Sequence, residues 1–493
     1  MKILFAASEV APFAMTGGLA DVAGSLPLAL AALGHDVRVV LPRYRQVEKE
    51  TFGLKHAVTF SVPLSSWKER CDILTGTLGK NVAVYFINKD IYFDRPGLYG
   101  TPKGDYSDNA ERFIFFSRAI PELCRVLNFK PDIIHCNDWQ TGLVPLYVRT
   151  LAATIEELHS ARTVFTVHNL AYQGVFWHWD MRLTGLSWDV FTPEGIEFWG
   201  KMNLLKAGLV YSDVISTVSA TYSREIQTPE YGYGLDGVLR KRSSDLYGIM
   251  NGIDYDAWDP AKDPALPKPY SVARPSGKQV CKEALQKQLN LPRVPAPILG
   301  MVTRLSDQKG LDILMDALPR ILALNCQLII LGTGDEQYHR MLTEAGKGQP
   351  DRMRVLLKYD DILARRIYAG SDLFLMPSRY EPCGLGQMHA LRYGTVPVVR
   401  RTGGLADTVV NYNPRTGSGT GFVFDEYSPV ALAACVVRAL TEYRRPAVWR
   451  HIVRAGMKVD FSWTSSAKEY SKIYKKAIDK KQNIVHRGDR GDR

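Results

Sequence analysis

Thr16-Gly17-Gly18-Leu19-Ala20-Asp21 returns letter for letter as Thr402-Gly403-Gly404-Leu405-Ala406-Asp407. Each copy introduces a segment with helical spacing. Paired glycines let backbone N–H groups approach an oxyanion, and a helix N-terminus behind them adds the positive end of its dipole. Two phosphate-sized anion pockets are therefore expected, one in each of two similar domains and facing one cleft. A shared structural turn is the competing explanation.

Around both copies, short β-branched or apolar runs alternate with glycine-bearing turns and helical patterns. They lie at 2–8, 36–41, 133–135, 163–168 and 214–218, then at 298–303, 327–331, 354–357, 373–376 and 396–399. Strands alternating with helices imply parallel sheets wound through βαβ units. The fold class is α/β, with two Rossmann-like domains. The stretch 254–294 is turn-rich, aperiodic and interrupted by Asp-Pro and Ala-Arg-Pro-Ser-Gly, so it reads as a linker. The expected division is 1–253, linker 254–294, 295–462, a C-terminal helix over 463–482, and a disordered basic tail over 483–493.

Bulk properties exclude several classes. The 493 residues are 46% hydrophobic and 23% charged, an ordinary globular balance for two or three domains. No run approaches the roughly 20 apolar residues that span a bilayer, and Ser8, Glu9 and Pro12 interrupt the N-terminus before a signal peptide can form. It reads as a buried first strand. Seven dispersed cysteines without C-x-x-C spacing fit reduced thiols, not a disulfide or zinc framework. Of the net charge of +11, +5 falls in 472–493, which argues against a nucleic-acid footprint.

A longer ordered set of motifs surrounds the glycine pairs. Ser8-Glu9-Val10-Ala11-Pro12 leads into Met15-Thr16-Gly17-Gly18; then come His135-Cys136-Asn137-Asp138-Trp139, Thr166-Val167-His168-Asn169 and Tyr231-Gly232-Tyr233-Gly234-Leu235-Asp236-Gly237. Met250-Asn251-Gly252-Ile253-Asp254, Thr303-Arg304 with Lys309-Gly310, Pro377-Ser378-Arg379-Tyr380-Glu381-Pro382-Cys383-Gly384-Leu385 and Asp460-Phe461-Ser462-Trp463 complete it. This series, covering roughly 1–475, resembles the bacterial glycogen synthases and plant starch synthases, which are retaining glycosyltransferases. The resemblance implies the two-domain GT-B fold, with the C-terminal helix over 463–482 crossing back to the first domain. It also implies transfer of glucose from ADP-glucose to the 4-hydroxyl of an α-1,4-glucan with retention at C1, without a metal or other cofactor. The implied location is the cytoplasm, or a plastid stroma for a mature plant or algal protein, with glucan-granule association compatible. Nucleic acid and membrane are not implied partners, and the sequence does not encode an oligomeric state legibly.

Breaking a sugar–diphosphate bond without a metal requires fixed cations at the leaving phosphate. Arg304 supplies a planar fork and Lys309 a point charge; a solvated loop is the bland alternative. Glu381 stands before a glycine-bearing turn, where a carboxylate can hold sugar hydroxyls or stabilise charge at C1. The backbone N–H groups of Gly384 and Leu385 can reach sugar hydroxyls, and Cys383 is a packed or substrate-lining residue, not a nucleophile. By resemblance, His168 and Asn169 face the glucose, Asn251 contacts the sugar, Tyr359 stacks on adenine, and Gly17, Gly18, Thr402, Gly403 and Gly404 serve the donor. Asp138 is assigned near the acceptor, with helix capping as the alternative, and Glu9, Asp21 and Tyr99 to the acceptor path. Retaining double displacement needs two carboxyl groups about 5–5.5 Å apart. No clear second acid accompanies Glu381, so front-face displacement fits better. The family's lysine before the first glycine pair is Met15 here, which weakens or alters donor affinity. A UDP-glucose-preferring enzyme and a weakly catalytic glucan-binding or priming protein are the alternatives.

Overall fold

The computed structural model describes residues 1–488, with side chains described through Lys480. The chain forms two compact units: Met1–Gly252 together with the segment from Trp463 onward, and Ile253–Ser462.

The first unit is built on a nine-stranded sheet. Its order is Leu246–Gly248, Val214–Thr217, Arg162–Val167, Ile133–Asn137, Lys2–Ala6, Asp36–Pro42, Val82–Asn88, Trp67–Leu78 and Lys55–Leu64. The first seven run parallel. Ile133–Asn137 is buried at every position, because helices cover both faces of a parallel sheet and leave no solvent side for alternation. The last two strands are antiparallel, turning at Ser65 with φ +52°. The sequence reading did not anticipate this hairpin, whose outer strand alternates buried and exposed toward its end.

The second unit holds a six-stranded, all-parallel sheet ordered Met353–Leu356, Gln327–Leu331, Ile298–Val302, Leu373–Met376, Val396–Arg400 and Phe422–Phe424. The stretch expected as a linker belongs to this unit. Within it Gly277–Gln288 is helical, and Leu266, Tyr270, Cys281 and Leu285 join the core with Ile367 and Phe374. Its prolines mark the ends of that helix, not a chain free of a core.

The helix Trp463–Gly488 belongs to the first unit. A Cβ at Gly252 would lie 2.7 Å from the Trp463 backbone nitrogen, so only glycine lets the chain pass there. Tyr474 then reaches the buried His135 ring at 2.8 Å, and the other ring nitrogen meets Thr166 Oγ1 at 2.6 Å. Lys480 pairs with Asp245 and donates to Asp213 O. This helix runs past the expected end at 482, and 489–493 of the expected tail lie outside the described residues. Among the described residues no helix is long and apolar enough to cross a membrane.

In an open parallel sheet, ligands bind beyond the C-terminal strand ends where the strand order reverses. That reversal falls at Lys2–Ala6 in the first unit and at Ile298–Val302 in the second. Ser8-Glu9, Asp138 and His168 leave strand ends of the first unit; Arg304, Ser378–Glu381 and Thr402 leave those of the second.

Candidate functional site

In the second unit, the strand Ile298–Val302 runs into Thr303-Arg304 and a short 3-10 turn, Asp307–Lys309. Gly310 follows with φ +69°, and a Cβ there would sit 2.0 Å from Pro377 O. That close backbone approach brings Lys309 to the segment leaving Leu373–Met376. Lys309 Nζ donates to both oxygens of Glu381, at 2.7 and 3.0 Å, and Ser378 Oγ donates to Glu381 Oε2 at 2.9 Å. Glu381 is 5% exposed. A buried carboxylate is tolerable only when paired and hydrogen-bonded, which Lys309 and Ser378 provide. An ammonium has three N–H donors; the third on Lys309 has no partner among the described residues. Arg304 is exposed, and among the described residues no hydrogen bond or ion pair holds its guanidinium. Tyr359 is also exposed.

The second glycine pair closes onto this carboxylate's own backbone. Gly403 has φ +42°, and its Cβ would stand 2.0 Å from Glu381 O; a Cβ at Gly404 would stand 1.9 Å from Cys383 O. Gly404 N–H donates to Glu381 O at 3.0 Å. Thr402 and both glycines are buried. At this copy the lack of a Cβ lets two backbone segments touch, a packing role beside the expected anion pocket. Gln387 ties the same turn from below, donating to Cys383 O, Gly384 O and Thr408 Oγ1. Gly384 has φ +70° and stays half-buried with Leu385, while Cys383 is buried.

The first glycine pair is the opposite case. Cβ atoms at Gly17 and Gly18 would meet nothing within 4 Å, and Met15 beside them is exposed. The turn is held from within by Glu9. One of its oxygens accepts from Thr16 Oγ1 and the Tyr99 hydroxyl, each at 2.7 Å. The other accepts from the N–H groups of Thr16 (2.5 Å) and Gly17 (3.3 Å). Four donors fill the lone-pair capacity of one carboxylate, and Ser8 Oγ pairs with the same Tyr99 hydroxyl. Glu9 and Tyr99, expected on the acceptor path, brace the loop through these bonds. Arg112 extends the brace: fully buried, it donates to Tyr92 O, Leu98 O and Asn109 Oδ1 around the Tyr99 segment. Asp21 lies exposed in the first turn of the helix Gly18–Ala32.

Asp138 holds φ +55° and ψ −179°, a region that costs a non-glycine residue about 1–3 kcal/mol and clusters at functional sites. Its side chain does not cap the helix that follows, which excludes the capping alternative. Oδ1 accepts from the His168 N–H at 2.7 Å instead, joining two strand ends. Burial pushes the Asp138 carboxyl up to about 7, against the lowering effect of that N–H and with the nearby Glu9 charge adding to the rise. Burial pushes the His168 imidazole down to about 3, so the ring is neutral. His168 Nε2 meets Asn137 Oδ1 at 3.0 Å, while Asn137 Nδ2 is committed to Ala6 O. That assigns the proton to Nε2. Asn169 folds back to accept from the Ala171 N–H. Asn251 is 5% exposed and its Oδ1 has no partner among the described residues, the signature of a group waiting for a donor.

Ser378, Asn137, Gln387 and Arg112 carry this geometry without having been singled out. The first two stand inside quoted motifs, which was the available signal; the last two act through backbone carbonyls and leave none. Among the described residues no cluster of three or more His, Cys, Asp or Glu is placed to hold a metal ion.

Residues 2–241 match the starch synthase catalytic domain model, and residues 282–455 the glycosyl transferases group 1 model. A glycogen synthase of Syntrophotalea carbinolica is 51% identical over 97% of this chain and 99% of its own length. One from Geotalea daltonii is 48% identical over 98% and 100%. Among solved structures, the catalytic domain of starch synthase IV from Arabidopsis thaliana bound to ADP and acarbose superposes with a TM-score of 0.89. It is 36% identical and covers 97% of this chain and 99% of that one. With two parallel α/β units of the GT-B class and relatives matched end to end, the chain belongs to the glycogen and starch synthase family of glycosyltransferases.

Proposed function

We propose that the chain transfers glucose from ADP-glucose to the non-reducing 4-hydroxyl of an α-1,4-glucan, with retention at C1 and without a metal. The observation that carries this reading is the buried Glu381, clamped by Lys309 and Ser378 at a strand exit of the second unit. The likeness to a starch synthase domain bound to ADP and acarbose supports the donor and acceptor classes.

In this mechanism the second unit takes the nucleotide. As the C1–O bond breaks, negative charge grows on the diphosphate, and preorganised cations are the largest available catalytic term. Arg304, whose guanidinium has no partner among the described residues, and the remaining N–H of Lys309 meet that charge. Glu381 fixes the ammonium and holds negative potential near the developing oxocarbenium ion. Its pairing with Lys309 makes it a poor covalent nucleophile, which favours front-face displacement in which the departing phosphate takes the acceptor proton. On the first unit, the open turn at Gly18 offers an anion its helix N-terminus, and the neutral His168 ring and Asn251 offer polar atoms to sugar hydroxyls. The partly titrated Asp138 holds the His168 backbone in place.

The test is a donor competition: purified chain, glycogen and equimolar labelled ADP-glucose and UDP-glucose. Incorporation mainly from ADP-glucose supports the reading. Dominant UDP-glucose incorporation would replace the donor, and glycogen binding with no incorporation from either would replace the reading with that of a glucan-binding protein.

A further inference from the structure

Four of the nine tryptophans fall between 177 and 199, and all are exposed: Trp177 58%, Trp179 49%, Trp188 45% and Trp199 83%. Large aromatic rings are normally withdrawn from water, and a contiguous exposed set marks an interaction surface. The set grows from a small antiparallel sheet of the first unit, Val175–Trp177, Lys201–Asn203 and Glu197–Phe198. Trp177 and Trp179 lie 6.4 Å apart, Trp179 and Trp188 5.8 Å, and Trp188 and Phe191 5.5 Å, all edge-to-face. That arrangement fixes each indole by its neighbour while ring surface stays in solvent.

We propose that Trp177, Trp179 and Trp188 form a platform that holds a glucan chain on the first unit, at a distance from its reacting end. This rests on the reading of the chain as an α-glucan glucosyltransferase. Pyranose rings present apolar C–H faces rimmed by hydroxyl groups, which matches flat aromatic surface edged by hydrogen-bonding groups such as His178 and Asp189. Val175 is the one aliphatic side chain among the exposed large hydrophobics of this stretch, whereas a protein partner's seat would be expected to mix in more aliphatic anchors. Residues 175–201 carry four carboxylates against two cations. That balance disfavours a nucleic-acid strand, which needs a basic groove beside its stacking rings, and an anionic lipid surface.

Continuity with the site supports the assignment. Trp139, next to Asp138, lies 5.6 Å from the Phe176 ring and 6.4 Å from the Tyr99 ring. Gly174 has φ +61°, and a Cβ there would come 2.4 Å from the Trp139 ring. The platform strand is thereby keyed onto the segment that carries Asp138. Ring contacts thus run from Tyr99 through Trp139 to Phe176, the chain neighbour of Trp177.

The experiment is native electrophoresis in gels containing glycogen, comparing the wild type with the Trp177→Ala/Trp179→Ala double variant. The apparent affinity for glycogen is expected to fall roughly two- to tenfold per ring removed. The ratio of KM for glycogen to KM for maltotriose should rise with it. In the unmodified chain, maltoheptaose should protect Trp177 and Trp179 from oxidation by N-bromosuccinimide, read by peptide mapping, a measurement that needs no variant to fold. Unchanged glycogen retardation in the double variant, absent protection, or a shift in oligomeric state with glycogen affinity intact would each overturn the platform. A wild type that transfers from no nucleotide sugar, yet loses glycogen retardation with the tryptophans, would overturn the enzymatic reading and leave the platform standing.

Discussion

Replacing Lys309 by methionine keeps the length of the side chain and removes its charge. Glu381, 5% exposed, would lose two charge-assisted hydrogen bonds and keep only that from Ser378. Removing one member of a buried ion pair costs about 3–5 kcal/mol, because the survivor is left uncompensated. The Lys309 side chain is 17% exposed, so water reaches one edge of the pair and the lower end, about 3 kcal/mol, applies. For a unit spanning Ile253–Ser462, that lowers the melting temperature by roughly 6–12 °C. Adding Glu381→Gln removes the stranded charge and should recover at least half of the loss, a coupling of about 1.5 kcal/mol or more. Differential scanning calorimetry of the full chain, following the transition that Lys309→Met moves, reads both values. A Lys309→Met variant within about 1 kcal/mol of wild type, or a double variant no more stable than the single, would refute the role given to the pair.

The two glycine copies should respond oppositely. Gly404→Ala drives a methyl group into Cys383 O, at 1.9 Å, and is expected to abolish transfer and destabilise the second unit strongly. Gly17→Ala meets nothing within 4 Å and should shift stability by no more than about 0.5 kcal/mol; thermal melts compare them. Asp138 binds its proton more tightly folded, near pH 7, than unfolded, near 3.8. The folded state therefore carries the extra proton between those values, and this group's contribution to stability falls as pH rises from about 4 to about 7. Asp138→Asn should remove that slope in melts taken from pH 4 to 8. Met15→Lys, placing an ammonium beside the open glycine turn, is expected to lower the donor KM; an unchanged or raised value contradicts the account of that position.

Residue types that must sit at strand exits were legible in the sequence. Arg304, Lys309 and Glu381 follow apolar runs at the spacing the chemistry needs, and the structure brings Lys309 onto Glu381. What the sequence could not reveal was the difference between two identical hexapeptides. Whether a glycine pair is open or sealed depends on which backbone returns beside it. Glu381–Cys383 returns at Gly403-Gly404, whereas nothing does at Gly17-Gly18. Glu9 is a parallel case: the four donors that make it a brace are set by how the loop folds, which its place in the sequence does not reveal. The stretch 254–294 looks free of periodicity because prolines frame its helix, and Cys281 and Leu285 join a core that includes Ile367 and Phe374, more than 80 positions away.

The most direct test follows glucose transfer by NMR, with ADP-glucose and maltoheptaose as substrates, for the wild type and Glu381→Ala. The account predicts growth of α-1,4-linked anomeric signal in the first product formed by the wild type, and none from the variant. A β-linked first product, or elongation undiminished by Glu381→Ala, would contradict it.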